Sequence, residues 1–437
     1  VSKLISIAGS SGVGKTTLAR LLMLVFPSDK SVIISGDNYH KWERGNSNWK
    51  YFTHLNPAAN NLDQATRDLS HLKEAGEAWI PHYSHRSGKL EGPVKVKSKD
   101  FIIYEGLHAL YGSASQIADV KIFVDTEPEL KMHWKMVRDT ASRGYSATQV
   151  LAALKAREED EAKFIKPQKS EADIVIRFKV CGEKVVMEYE KITCKGGDLI
   201  PSLCEAYEKQ AKFIDVCGQI GANKNLVGNR GGNISYKLND KRVITSSGAK
   251  LAEVSMFKNH WFFGSSERPS MESEVHQKLG EVVIHTHPKY VNVLLCSTGG
   301  REIVDRLFSG FPHRYIPYVA PGKKLAKQNF GASPCVYFLE NHGLVVSADT
   351  FEQAWEWTED VCNLCKEWVN INKKEVSETI IDKYLFPDAV LFEEEMMVNK
   401  VIAELILSLG LTPKYLTSPQ VHELKTMEEE KYRRSLK

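Results

Sequence analysis

The sequence is short of the features that would place it in a membrane, in a disulfide-stapled scaffold or on nucleic acid. No apolar run is long enough to span a bilayer, and no signal-peptide pattern is present. Neither sign of charge dominates: 58 Lys and Arg stand against 55 Asp and Glu, a formal +3. With no basic run and no interleave of basic and aromatic residues, no nucleic-acid partner is expected. The eight cysteines lack framework spacing. Cys362 and Cys365 form a C-x-x-C, but in a helical, aromatic-rich stretch where ordinary packing is the expected role. These absences predict a protein of the reducing cytoplasm. Internal repeats and low-complexity linkers are also missing. What is present is an apolar fraction of 42% and a charged fraction of 26%, the balance of a soluble globular protein. At 437 residues the chain exceeds one ordinary core, so two domains are expected.

The first domain is organised around residues 9–16, GSSGVGKT, which fit the phosphate-loop pattern G-x-x-x-x-G-K-[ST]. An apolar run at 4–8 reads as a buried strand before it, and a helical pattern follows from 17. That context puts backbone N–H groups around an anion at a helix N-terminus. Gly9, Gly12, Gly14, Lys15, Thr16 and Thr17 are therefore the candidate nucleotide-binding residues. Lys15 would reach the terminal phosphates of a nucleoside triphosphate, and Thr16 would hold magnesium.

Further apolar strands at 31–35, 101–105 and 121–125 place acids at or just beyond their C-terminal ends. Asp37 is positioned to accept a hydroxyl proton, and Glu105 to organise magnesium. The polar stretch at 81–86 reads as a substrate-facing loop. A basic helix carries Lys135, Arg138 and Arg143, suited to stabilising charge on a transferring phosphoryl group.

Taken together, residues 36–40 (GDNYH) with Arg44, 104–109 (YEGLHA), Arg138-Asp139 with 143–146 (RGYS), 164–168 (FIKPQ) and 172–176 (ADIVI) resemble phosphoribulokinase and, more distantly, uridine kinase. The resemblance covers roughly residues 1–190. It implies a doubly wound kinase that uses ATP with Mg²⁺ to phosphorylate a sugar or sugar phosphate. Asp37 is then the general base and Glu105 the acid of the metal site, while Lys135, Arg138 and Arg143 line phosphate and substrate. A last strand at 184–193 and the break at Gly196-Gly197 place the domain boundary near 197, giving domains at 1–197 and 198–437.

In the second half, His285 and His287 sit two apart on an apolar strand. Period-two alternation puts both imidazoles on one face, about 6–7 Å apart along the chain, so that one metal can accept both. His342 follows another strand, and Glu272 stands upstream. Three histidines with a nearby carboxylate suit a catalytic metal, though from spacing alone two ordinary strand histidines are an equal reading.

The order of 232–235 (GNIS), 244–248 (ITSSG), 269–272 (PSME) and 285–288 (HTHP) resembles the class II aldolase/adducin family over about residues 200–370. Met271 stands where fuculose-phosphate aldolases commonly carry a second serine. The resemblance implies an α/β/α fold, a zinc ion or another divalent transition metal on His285, His287 and His342, and assembly of copies, usually as a tetramer. Gly232, Asn233, Ser247, Gly248 and Ser270 would hold a substrate phosphate, and Glu272 would shuttle the proton.

The expected fold is therefore α/β: a P-loop doubly wound kinase domain followed by an α/β/α class II aldolase-like domain. The expected activity is phosphorylation of a ketose or sugar phosphate coupled to cleavage of a ketose 1-phosphate into dihydroxyacetone phosphate and an aldehyde. An epimerase or a non-catalytic scaffold in the second half is the alternative. The expected partners are small sugars or sugar phosphates and further copies of the chain, with no membrane.

Overall fold

The structure is a computed structural model. It describes residues 2–436 apart from Cys194, Gly196, Asn229, Phe257, 262–266 and 376–380, and at Ser142 and Arg143 it describes the backbone only. Two compact units divide between Tyr207 and Glu208. That point lies ten residues beyond the expected boundary, within the helix Ile200–Ala222 rather than at the break before it.

The first unit is built on strands β1 (Lys3–Ala8), β2 (Ser31–Ser35), β5 (Phe101–Gly106), β6 (Val120–Thr126), β7 (Ile174–Cys181) and β8 (Lys184–Ile192). They lie in the order β2-β5-β1-β6-β7-β8. All neighbours are parallel except the last pair. Successive residues of β1 from Leu4 to Ala8 are buried whichever way they point, so both faces of the sheet are covered, as parallel strands require. On one face Leu4, Ile102 and Val175 meet Leu69 and Leu72 of the helix Leu62–Ala75.

The chain passes from β5 over β1 to β6, so its direction of winding reverses at β1. Ligands of open α/β sheets bind outside the strand ends at such a point, and the glycine-rich loop occupies it here. A separate antiparallel hairpin comprises β3 (Glu77–Ser84) and β4 (Lys89–Lys97). The expected loop at 81–86 is therefore corrected. Residues through Ser84 are paired strand, with Tyr83 opposite Leu90, because backbone pairing across the hairpin satisfies a polar stretch without an apolar core.

The second unit has a seven-stranded sheet. Its members are β9 (Asn233–Leu238), β10 (Lys241–Thr245), β11 (His260–Trp261), β12 (Val282–Thr286), β14 (His313–Ile316), β15 (Cys335–Leu339) and β16 (Gly343–Ala348). The short β13 (Ser297–Thr298) pairs apart with β17 (Thr412–Pro413). The large sheet runs β11-β10-β9-β12-β16-β15-β14 and is antiparallel except between β14 and β15.

Alternation along β15 sends Tyr337 and Leu339 into a core with Leu325 and Phe330. Phe338, on the other face, packs against Phe308 at 5.0 Å between ring centres. Helices thus cover both faces. In the helix Phe351–Asn372, Cys365 is buried on the same stripe as Val361 and Val369, and both Cys362 and Cys365 are free thiols. No helix among the described residues is long and apolar enough to cross a membrane.

Candidate functional sites

Each unit gathers polar residues at one place. In the first, Gly9, Gly12 and Gly14 have φ of 149°, 87° and 96°, which side-chain-bearing residues rarely adopt. A Cβ on Gly9 would also collide with the Val124 carbonyl. These glycines turn the loop into the start of the helix Lys15–Val25. Lys15 donates to the Ser10 carbonyl at 2.8 Å. Thr16 and Ser35 reach Glu105 Oε1 at 3.5 and 3.3 Å. Thr17 lies half-buried in the first helical turn.

Burial lowers the Lys15 pKa against the pull of Glu105 and Asp37. Burial also raises the Glu105 carboxyl, opposed by Lys15. The Thr16 hydroxyl and the Glu105 carboxylate, 3.5 Å apart, are oxygen donors of the kind Mg²⁺ takes.

Asp37 follows β2 in a short helical turn, Gly36–Tyr39. Its two carboxylate oxygens face His40 at 3.6 Å and His85 at 3.3 Å. Burial alone would raise its pKa, but His40, His85 and Lys15 outweigh it and keep the carboxylate ionised. His40 in turn stacks on His54, with ring centres 5.0 Å apart. Sequence reasoning assigned no role to His40 or His54, and placed His85 only within the stretch read as a substrate-facing loop. The available signal was that each lies in a polar segment with few apolar neighbours.

Arg138 reaches Ser11 of the loop at 3.4 Å and Asp139 at 2.8 Å. Lys135 is only 2% exposed, packs against Gly12 of the loop and donates to Asp139 at 3.0 Å. Arg143 ends its helix, and its side chain lies outside the described residues.

In the second unit, β12 carries His285 opposite Asn233 of β9, and His287 lies just past the strand end. His342 is delivered by the turn between β15 and β16. There Asn341 takes φ 51° and donates to the carbonyls of Leu385 and Lys414 at 2.7 and 2.6 Å. One nitrogen of each of the three imidazoles lies within 4.8 Å of the others. Glu272 sits between them, 3.2 Å from His285 Nε2 and 3.5 Å from His342 Nε2, and accepts from Asn233 at 2.8 Å.

The donor set passes a chemical test for a cation. His285 Nδ1 faces the Leu344 carbonyl at 2.9 Å, and His287 Nδ1 faces Asp388 at 2.8 Å. Both partners only accept, so both Nδ1 atoms carry a proton and both Nε2 atoms turn towards each other, 2.9 Å apart. Burial acts downward on the His287 pKa, but Asp388 outweighs it and raises it, so a proton between the two Nε2 atoms holds the place that a divalent ion would take. Such an ion would also satisfy the buried Oε1 of Glu272, which has no hydrogen-bond partner. Burial pushes the His342 pKa down to about 3, leaving the neutral, ligating form. For Glu272, burial acts upward, but His285 and His342 outweigh it and bring the carboxyl down to about 2.

Gly232, Asn233, Ser247, Gly248 and Ser270 line the same pocket, with Arg230, Glu430 and Arg433. Asn233 Nδ2 is engaged by Glu272, and Ser270 Oγ accepts from the Glu272 N–H at 3.3 Å. Leu436 and the stem of Arg433 cover Gly248. Asp388, Glu430 and Arg433 were absent from the sequence expectation. The acidic–basic pattern at 428–434 resembles any solvated helix face, and only folding brings it to the pocket.

Residues 4–184 match the model of the Phosphoribulokinase / Uridine kinase family, and residues 211–369 that of the Class II Aldolase and Adducin N-terminal domain. A Synechocystis phosphoribulokinase is 37% identical over 175 residues, 40% of this chain and 53% of that protein. A Staphylococcus aureus uridine kinase is 32% identical over 183 residues, 40% of this chain and 86% of that protein. The chain thus spans about half the length of the curated phosphoribulokinases it matches. A solved class II aldolase domain from Thermoplasma acidophilum is 18% identical, with a TM-score of 0.33, covering 37% of this chain and 93% of that one.

Proposed function

The chain belongs to the phosphoribulokinase / uridine kinase family through residues 4–184 and joins to it a class II aldolase/adducin domain over residues 211–369, and from that premise we propose that it is a bifunctional enzyme of sugar metabolism. In this reading the first unit transfers the terminal phosphoryl group of ATP to a hydroxyl of a ketose or sugar phosphate. Asp37 accepts the hydroxyl proton as the new O–P bond forms and the bond to ADP breaks. Lys15 and Arg138 offset phosphate charge, and Thr16 and Glu105 hold the Mg²⁺ that travels with ATP. An ionised, oriented Asp37 suits such a transfer, which depends more on positioning than on a strong base.

The second unit would cleave a ketose 1-phosphate to dihydroxyacetone phosphate and an aldehyde. His285, His287 and His342 would hold a divalent ion, zinc in the first instance, whose Lewis acidity polarises a carbonyl oxygen. Glu272 would take and return the proton, with Asn233 and the Ser270 hydroxyl fixing its carboxylate and backbone. Gly232, Ser247, Gly248 and Ser270 would take the phosphate end. Assembly of copies through this unit and a place in the reducing cytoplasm belong to the same reading. The free thiols among the described residues support the latter.

The observation that carries the reading is the convergence of three imidazoles on one point, with Glu272 within 3.5 Å of two of them. The test is a screen of ketoses and ketose phosphates with ATP and zinc, with products identified by mass spectrometry. A phosphorylated ketose and a released aldehyde are expected. A pentulose phosphate inverted at one carbon would make the second unit an epimerase. No turnover by the zinc-loaded chain would leave it a binding scaffold.

A further inference from the structure

The residue that orients His287 is set by the far end of the chain. Asp388, in the short helix Pro387–Leu391, is buried, and its two oxygens have separate duties. Oδ2 accepts from His287 Nδ1 at 2.8 Å. Oδ1 accepts from Arg433 Nη2 at 3.1 Å. Arg433 belongs to the helix Glu428–Ser435 and is itself buried. Its Nη1 donates to both oxygens of Glu430 at 3.1 and 2.9 Å, and its Nη2 also donates to the Arg230 carbonyl at 3.0 Å.

A carboxylate with one oxygen fixed by a guanidinium can present the other in only a narrow range of directions. The imidazole it holds is then fixed both in tautomer and in ring angle. Without it, His287 would be free to place its proton on Nε2, the atom that must carry a lone pair to bind a cation.

We infer that Asp388 and Arg433 form a positioning pair for the metal site, so that docking of the helix Glu428–Ser435 completes the ligand set on β12. The inference rests on the reading that His285, His287 and His342 bind a divalent ion. It goes beyond that reading by assigning retention of the ion to a helix that supplies no ligand. The pair acts through His287, because neither side chain reaches His285 or His342 in the structure's hydrogen bonds or ion pairs. A carboxylate behind a ligating histidine is commonly worth about 10–100-fold in metal affinity.

The experiment uses the full chain and competes zinc against a chromophoric chelator, with circular dichroism and thermal unfolding as controls for the fold. Asp388→Ala and Arg433→Met should each weaken zinc binding by about 10–100-fold, and Arg433→Lys should recover part of the loss. The double variant should bind no more weakly than Asp388→Ala alone, since the two residues act along one path. Asp388→Asn keeps the volume and an acceptor but loses the charge, and serves as the arm to read should the alanine variant not fold. It should release zinc several-fold faster than wild type. Wild-type affinity in folded Asp388→Asn and Asp388→Ala, or fully additive losses in the double variant, would overturn the inference and leave the metal site standing. Wild type that binds no zinc would instead overturn the metal reading beneath it.

Discussion

Asp37 shows how a residue's surroundings decide its chemistry. A carboxylate facing two imidazoles stays ionised although burial opposes it, which is the form that the proposed general base requires. Asp37→Asn should lower kinase turnover by about 10²–10⁴-fold with little change in ATP affinity. Steady-state kinetics beside equilibrium nucleotide binding would show this, and a collapse of ATP binding would instead make Asp37 a structural or metal residue.

Lys135 is the contrasting case. Burial and the nearby Arg157 bring its pKa down to about 8, against the pull of Asp139. Its folded pKa lies below the ordinary lysine value, so between those two pH values the unfolded chain binds the proton more tightly than the folded one. Folding is penalised at pH below 8, and the penalty fades as pH rises. The stability of wild type relative to Lys135→Met should therefore improve between pH 7.5 and 9.5. Denaturant unfolding of both proteins at the two pH values would check this, and a constant difference would show that Lys135 titrates normally.

At the scale of elements, the phosphate loop depends on backbone shape as much as on Lys15. Gly14 caps the helix Lys15–Val25 in the left-handed region, and a Cβ there would stand 3.0 Å from the Phe178 ring. Gly14→Ala should cost about 1–2 kcal/mol from the backbone conformation alone, and ATP affinity should fall with it. Thermal unfolding followed with and without nucleotide reads both effects. Wild-type nucleotide affinity in this variant would mean that the loop tolerates another geometry. Strand register matters in the same way in the second unit. His285 lies opposite Asn233, which places Asn233 Nδ2 on Glu272. A one-residue slip of β12 would turn His285 to the other face.

For the whole molecule, the two chemistries are expected to follow one another. Phosphorylation beside a ketone makes a ketose 1-phosphate, whose dianion can position the reacting carbons through remote binding energy. An unphosphorylated ketose should therefore be cleaved only when ATP is present. Glu272→Gln should stop cleavage while the phosphorylated ketose accumulates, since the amide cannot carry the proton. One reaction series, wild type and Glu272→Gln with and without ATP, follows ATP consumption and aldehyde release together. Aldehyde release without ATP, or equal accumulation of the phosphosugar in both proteins, would leave two independent activities on one chain.

Much of this molecule could be read in its sequence because the chemistry is written at short, fixed spacings. The phosphate loop needs glycine, lysine and threonine in eight consecutive residues. The strand before it needs a buried apolar run, and two imidazoles on one strand face need only alternate positions. The acids at or just beyond the strand ends, Asp37 and Glu105, and the His285–His287 pair are all local in this sense. Tertiary structure alone decided which distant side chains finish each site. His287 and Asp388 stand 101 positions apart and meet at 2.8 Å. Arg433 reaches Asp388 from another helix, and His85 reaches Asp37 from the end of a hairpin. No local periodicity records such meetings, because each depends on how whole elements pack. Of the charges on the helix Glu428–Ser435, Glu430 and Arg433 are buried partners because the helix packs where Asp388 of the helix Pro387–Leu391 meets it.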